Sequence, residues 1–130
     1  MRILGIGVDI VKNSRIKKSI LNKSFLYRVF TNEEILISKN IKNKSSYFAK
    51  RFAAKEAFSK SLGTGFRDDF NFKDISVIND KLGKPSFFIS KKIKNMIKKK
   101  FKISRFNFFL SISDEEKYSM AFVILQKIWN

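Results

Sequence analysis

RFAAKEAFSKSLGTG, residues 51–65, is the stretch around which the rest of the chain is read. It completes a helical segment that starts at Ser45 or Ser46 and ends at Leu62, with Gly63 at the position past a helix end that favours glycine. Residues 64–72 then read as a loop containing Gly and Asp. Within the helix, Glu56 has Ala53 and Phe52 three and four residues back, so its face is largely apolar. A carboxylate buried there without a partner costs several kcal/mol, so Glu56 calls for a cation. Lys60, four residues on and in the favourable acid-before-base order, is one candidate, as a plain surface pair. A metal ion is the other. Two carboxylates from different elements plus water suit Mg²⁺, which keeps part of its hydration and takes phosphate oxygens readily. Arg51, Lys55 and Lys60 put positive charge on the same helix, as pyrophosphate binding requires.

A second carboxylate stands upstream. Residues 2–11 alternate as a strand, with Leu4, Ile6, Val8 and Ile10 on one face and Ile3, Gly5, Gly7, Asp9 and Val11 on the other. Asp9 is thus set in an apolar strand beside two glycines, which leave room for a ligand or another backbone. The alternative at Asp9 is a strand-end residue capping the helix that follows. Residues 12–29 read as one or two helical pieces, and Lys12, Arg15, Lys17, Lys18, Lys23 and Arg28 occur with no acid between Asp9 and Glu33.

Thr31 followed by Glu34 forms a capping box, which predicts a helix from Asn32 towards Ser38. Beyond the central helix, 74–79 and 86–89 read as a hairpin across the turn 80–85, which holds the single proline, Pro85. Ser90 caps a basic helix over 91–100. The stretch 91–102 contains seven lysines around an apolar stripe of Ile93, Met96, Ile97 and Phe101, the pattern of a helix packed on a core with a solvated outer face. Phe106 to Ser113 and Tyr118 to Lys127 close the chain as two strands around Asp114-Glu115-Glu116. With helices early and strands late, the fold class is α+β.

A chain of 130 residues with 44% apolar content and 15 Phe forms one domain, 1–130, with a packed core. It has no Cys and no His, so disulfides, thiol catalysis, Cys-based zinc sites and histidine bases are excluded. No apolar run approaches the ~20 residues of a membrane span, and the first residues lack the features of a signal peptide, so a cytoplasmic protein with no membrane partner is expected. The net charge of +17 points to an acidic or phosphorylated partner, and one reading of it is a basic nucleic-acid-binding module. The aromatics fall mostly at core spacing, and no stacking strand of the RNA-binding type is present, which disfavours that reading.

GIGVDIV at 5–11, VFTNEEI at 29–35, RFAAKEAFSKSLGTG at 51–65, GKP at 83–85 and SISDEEKYSMAFVIL at 111–125 occur in the order and spacing of the holo-acyl-carrier-protein synthases, which the chain resembles over nearly its whole length. The resemblance implies a 4′-phosphopantetheinyl transferase fold, with an antiparallel-rich sheet packed against a long central helix. It implies transfer of the phosphopantetheine arm of coenzyme A to a serine of an acidic acyl carrier protein, within fatty acid synthesis. By the same resemblance, Asp9 and Glu56 ligate Mg²⁺, and Lys60 faces the phosphate under attack. Arg51, Pro85, Gly63 and Gly65, with the basic Lys55 beside them, belong to the coenzyme A site. Arg15 and Lys18 lie on the helix that docks the carrier, and the short family members assemble as homotrimers with sites between subunits. Asp114 stands where the family usually has a histidine; an aspartate cannot donate to a phosphate and repels one. Loss of that histidine makes a catalytically weak, coenzyme A-binding member the further alternative, against which the joint presence of Asp9, Glu56 and Lys60 argues.

Overall fold

A computed structural model describes residues 2–63 and 70–129. The chain runs β1 (Arg2–Lys12), α1 (Asn13–Ser19), α2 (Lys23–Val29), α3 (Asn32–Ser38) and α4 (Lys44–Leu62), then a 3-10 turn at Phe72–Asp74, β2 (Ile75–Asn79), β3 (Pro85–Ile89), α5 (Lys91–Phe101), β4 (Phe106–Asp114) and β5 (Tyr118–Lys127). β1, β5 and β4 form an antiparallel sheet in that order, and β2 and β3 form a separate antiparallel hairpin. The architecture is α+β.

Local signals account for most boundaries. Thr31 and Glu34 form the complete capping box of α3, each bonding the other's backbone N–H. Asn22, Asn43 and Ser90 accept backbone N–H bonds at the starts of α2, α4 and α5. α4 ends at Gly63, whose φ of 83° lies in the left-handed region. The hairpin turn is tied by Asp80, whose carboxylate accepts from the N–H groups of Leu82 and Lys84.

The central packing event is α4 lying across the three-stranded sheet. Its small residues Ala49, Ala53, Ala54 and Ala57 are fully buried, and β1 meets them with Gly5 and Gly7. A Cβ on Gly7 would fall inside the carbonyl oxygen of Ala57, and one on Gly5 inside that of Ser61. The glycines therefore admit the helix backbone, and the space left by their missing side chains is not open to a ligand. One core cluster joins α1, α2 and the first half of α4 to the sheet; a second gathers Phe58, Leu62, Ile75, Ile89, Ile93 and Ile97 under α5.

The strand's alternation appears as expected, but its faces are used in the opposite sense from what hydropathy suggests. The face of Gly5, Gly7, Asp9 and Val11 turns to α4. Ile6, Val8 and Ile10 are exposed, and with Met120 and Phe122 of β5 and Phe109 of β4 they form an uncovered apolar sheet face. A register irregularity between Ile3 and Gly5 separates Leu4 from that exposed row and leaves it packed on the second cluster.

Candidate active site

The close approach of α4 to β1 brings Asp9 to the last turns of the helix. Lys60 Nζ donates to Asp9 Oδ1 at 3.1 Å and to the Val8 carbonyl at 3.0 Å. Asp9 does not cap the following helix: α1 has Lys12 at its N-cap with no side-chain cap bond. Glu56, four residues before Lys60, lies on the same flank of α4 and is half-buried. So does Phe52, one further turn back, and the guanidinium of Arg15 on α1 sits over its ring at 5.8 Å from the centroid. The strand carboxylate, the helix carboxylate, Lys60 and the basic α1 therefore share one flank. Arg15 and Lys18 are exposed on α1.

The donors on this flank are carboxylate oxygens, which suit a hard divalent cation. Among the described residues no cluster of three or more acidic side chains could hold a metal alone. A cation here would take two protein carboxylates at most and fill its shell with water and phosphate oxygens, as Mg²⁺ does. The Asp9–Lys60 pair is no obstacle, because the Lys60 side chain is half exposed and such pairs contribute only about 0–1 kcal/mol.

The opposite flank of α4 carries a different chemistry. Five residues separate Arg51 from Glu56, which at 3.6 residues per turn rotates them about 140° apart. Arg51 is 8% exposed, stacks on Tyr47 with its guanidinium carbon 3.6 Å from the ring centroid, and donates to the Tyr47 carbonyl and to Asn79 Oδ1. Its Nε is buried with no hydrogen-bond partner among the described residues. Burial pushes the Arg51 pKa below its ordinary value, with Tyr47 and Glu34 opposing. A buried guanidinium with an unused donor is a ready anion receptor. It lines a cavity of about 510 Å³, together with Lys50, Asn79, Gly83 and Pro85. Asn79 orders this wall twice, accepting from Arg51 and donating to the Gly83 carbonyl at 3.0 Å.

One expectation meets a different outcome. Lys55 is wholly buried and is not on the cavity wall: its Nζ donates to Glu34 Oε1 at 2.6 Å, to the Val29 carbonyl at 2.8 Å and to the Phe72 carbonyl at 3.1 Å. An i+4 step from Arg51 along the buried side of α4 puts it among core groups, where it braces α2, α3 and the 3-10 turn. Gly63 serves the helix end, where Lys100 Nζ donates to the Leu62 carbonyl at 2.5 Å, and Gly65 lies outside the described residues. Sequence reasoning passed over Asn79 and Asn13. Asn13 donates to the carbonyls of Glu115 and Glu116 and accepts from Ser119, which fixes the β4–β5 turn against α1. Among the described residues the Asn13 side chain bonds only partners more than a hundred residues away and Asn79 reaches Arg51 across 28 residues, so neither of these contacts has a local sequence signal, whereas the Asn79 bond to Gly83 is a local turn contact.

The family model described as the 4′-phosphopantetheinyl transferase superfamily matches residues 5–123. A holo-[acyl-carrier-protein] synthase of Pelagibacter ubique is 69% identical over 127 residues, covering 98% of this chain and 99% of the relative. The crystal structure of a holo-[acyl-carrier-protein] synthase from Neisseria meningitidis aligns with a TM-score of 0.83 at 41% identity, over 97% of this chain and 100% of that one. That of a Bacillus anthracis holo-(acyl-carrier-protein) synthase in complex with CoA (3′,5′-ADP) aligns with a TM-score of 0.80 at 35% identity, over 97% and 98%.

Proposed function

Because the chain belongs to the 4′-phosphopantetheinyl transferase superfamily and is an enzyme of the holo-acyl-carrier-protein synthase type, we propose that it uses Mg²⁺ to move the phosphopantetheine group of coenzyme A to a serine of an apo-acyl carrier protein. The products are holo-carrier protein for fatty acid synthesis and adenosine 3′,5′-bisphosphate, and the reaction is cytoplasmic. The observation that carries this reading is the 3.1 Å contact of Lys60 with Asp9, which puts residues of β1 and α4 at one point on the flank next to the basic α1.

Asp9 and Glu56 would hold Mg²⁺, which when bound neutralises charge on the diphosphate. Lys60, with its half-exposed side chain, can exchange the Asp9 carboxylate for an oxygen of the phosphate under attack. The serine oxygen forms a bond to the phosphorus next to the pantetheine arm. The bond from that phosphorus to the oxygen bridging to the nucleotide breaks, and the bisphosphate leaves with the electron pair. The serine proton passes to Glu56 or to a water that it holds, since the chain has no histidine. Arg15 and Lys18 would meet the acidic carrier, a contact that speeds encounter and weakens with salt.

The nucleotide end of coenzyme A would use Arg51 and Pro85. Within one chain that wall lies on the far flank of α4 from Asp9 and Glu56, which supports a site completed by a second copy. The uncovered face of Ile6, Val8 and Ile10 is on the same strand as Asp9 and supports assembly as a homotrimer. A nucleic-acid role finds less support: Phe30, Phe48, Phe52 and Phe58 are core rings, unavailable for stacking on bases.

The test is incubation with apo-acyl carrier protein, coenzyme A and Mg²⁺, read by intact mass. A rise of one phosphopantetheine on the carrier is expected, and chelation of the metal should prevent it. Coenzyme A binding without any mass rise would instead identify a non-catalytic family member.

A further inference from the structure

α1, the helix of Arg15 and Lys18, is a short element of seven residues, and Lys12 at its N-cap makes no side-chain cap bond. Its buried residues are Asn13 and Ile16. Ile16 is wholly buried in the first core cluster. Burial of that kind holds a helix down without directing it, because the hydrophobic effect is non-directional.

Asn13 supplies the direction. Its Nδ2 donates to the Glu115 carbonyl at 3.2 Å and to the Glu116 carbonyl at 3.1 Å, which only the amine end of the amide can do. Oδ1 is thereby turned to the buried Ser119, whose Oγ donates to it at 2.7 Å. The Asn13 backbone N–H donates to the Lys117 carbonyl at 2.8 Å. Four bonds from one residue thus lock the first turn of α1 to the β4–β5 turn.

At about 100° per residue, Asn13 and Ile16 lie about 60° apart on the inner face of α1, Arg15 and Lys18 lie about 60° apart on its outer face, and the two pairs are about 160° from each other. A roll of the helix would therefore swing both exposed cations together along the surface. In the locked position the Arg15 guanidinium rests over Phe52, on the flank that carries Glu56 and Lys60.

We propose that Asn13 is a positioning residue for the carrier: by locking α1 to the β4–β5 turn, it sets the angle at which Arg15 and Lys18 meet an acidic carrier beside the reacting flank. This rests on the reading of α1 as the carrier-docking helix.

The experiment is steady-state transfer, with apo-acyl carrier protein and coenzyme A varied in turn. Wild type, Asn13→Ala, Asn13→Asp and Ser119→Ala are compared, and Asn13→Ala and Ser119→Ala are repeated in an Arg15→Ala/Lys18→Ala background. Asn13→Ala should raise the carrier KM about tenfold while kcat and the coenzyme A KM stay within about twofold, the signature of lost binding rather than lost chemistry. Asn13→Asp keeps the shape but turns acceptors towards two carbonyls, so it should be no better than Asn13→Ala. Ser119→Ala frees the amide to turn and should move the carrier KM the same way by a smaller factor. In the background without the two cations, Asn13→Ala should change the carrier KM by less than about twofold, because groups acting through one another are not additive. A purely structural role would instead lower the amount of active enzyme, and so the apparent kcat, equally in both backgrounds. Should the Asn13 variants not fold, Ser119→Ala in the two backgrounds decides the matter. A carrier KM unmoved by these substitutions, or moved equally in both backgrounds, would overturn the inference and leave the docking reading standing. If Arg15→Ala/Lys18→Ala itself leaves the carrier KM unchanged, the docking reading fails and this inference fails with it.

Discussion

Gly7 on β1 lies directly beneath the backbone of Ala57 on α4, so that a methyl group at Gly7 would occupy the space of the Ala57 carbonyl oxygen. The clash is with backbone, and neither a rotamer change nor a short side chain relieves it. α4 would have to lift off the strand that carries Asp9. Gly7→Ala is therefore expected to cost at least the 1–3 kcal/mol typical of overpacking, and to lower activity further by separating Asp9 from Lys60. Urea unfolding with parallel transfer assays checks this. A variant of wild-type stability would mean that α4 does not rest on this strand.

Asp9→Asn and Glu56→Gln keep the shape of each side chain and remove the charge that a divalent ion needs. Each is expected to lower the transfer rate by at least 100-fold. Stability should move little at Asp9, where the partner is a half-exposed lysine and the pair contributes about 0–1 kcal/mol. Lys60→Ala should lower kcat by about 100- to 1,000-fold, the range for removing one group that stabilises a developing charge. Intact-mass kinetics across Mg²⁺ concentrations, with circular dichroism to confirm folding, provide the measurement. Full turnover in either carboxylate variant would remove it from the site.

Much of this arrangement can be read in the chain, because the signals that fix it are local. Thr31 and Glu34 announce α3, Gly63 marks the end of α4, and the closing strands flank their acidic turn as their pattern suggests. What escapes a linear reading is which neighbour fills a gap. Gly5 and Gly7 signal close approach, but nothing local says that the approaching atoms belong to α4. Glu34 looks like a cap and no more, yet its second oxygen accepts from Val77 N at 2.9 Å and its first holds Lys55. Lys55 beside Glu56 looks like one of a row of surface bases, and only the position of α3 reveals it as a core cation. Hydropathy alternation shows that β1 has an apolar face, but the face that packs within the chain is the glycine face.

That displaced apolar face carries its own prediction. Ile10 is 62% exposed in a single chain, beside Met120 of β5 across the register, and a patch of this kind marks contact between molecules. Sedimentation velocity of wild type should show a species near three times the mass of one chain. Ile10→Glu should shift it towards the single chain and reduce transfer, since the Arg51 cavity and the Asp9 flank would no longer be brought together. A wild-type protein that sediments as a single chain yet turns over fully would contradict both the assembly and the shared site.

The pair of Lys55 and Glu34 makes a prediction of opposite character, about stability and pH. Both side chains are removed from water, so deleting one charge strands the other, and Lys55→Met should cost about 3–5 kcal/mol. Burial lowers the Lys55 pKa from the ordinary 10.5, with Glu34 pulling the other way. Between that lowered value and 10.5 the unfolded chain holds more protons at this residue than the folded one, so stability from this group rises with pH across the window. Lys55→Met lacks the titrating amine, and the stability gap between wild type and variant should therefore widen as pH climbs towards 10.5. Urea midpoints of both proteins measured from neutral to alkaline pH read this directly. A gap that narrows would show that the Glu34 carboxylate outweighs desolvation and holds the ammonium form in the core.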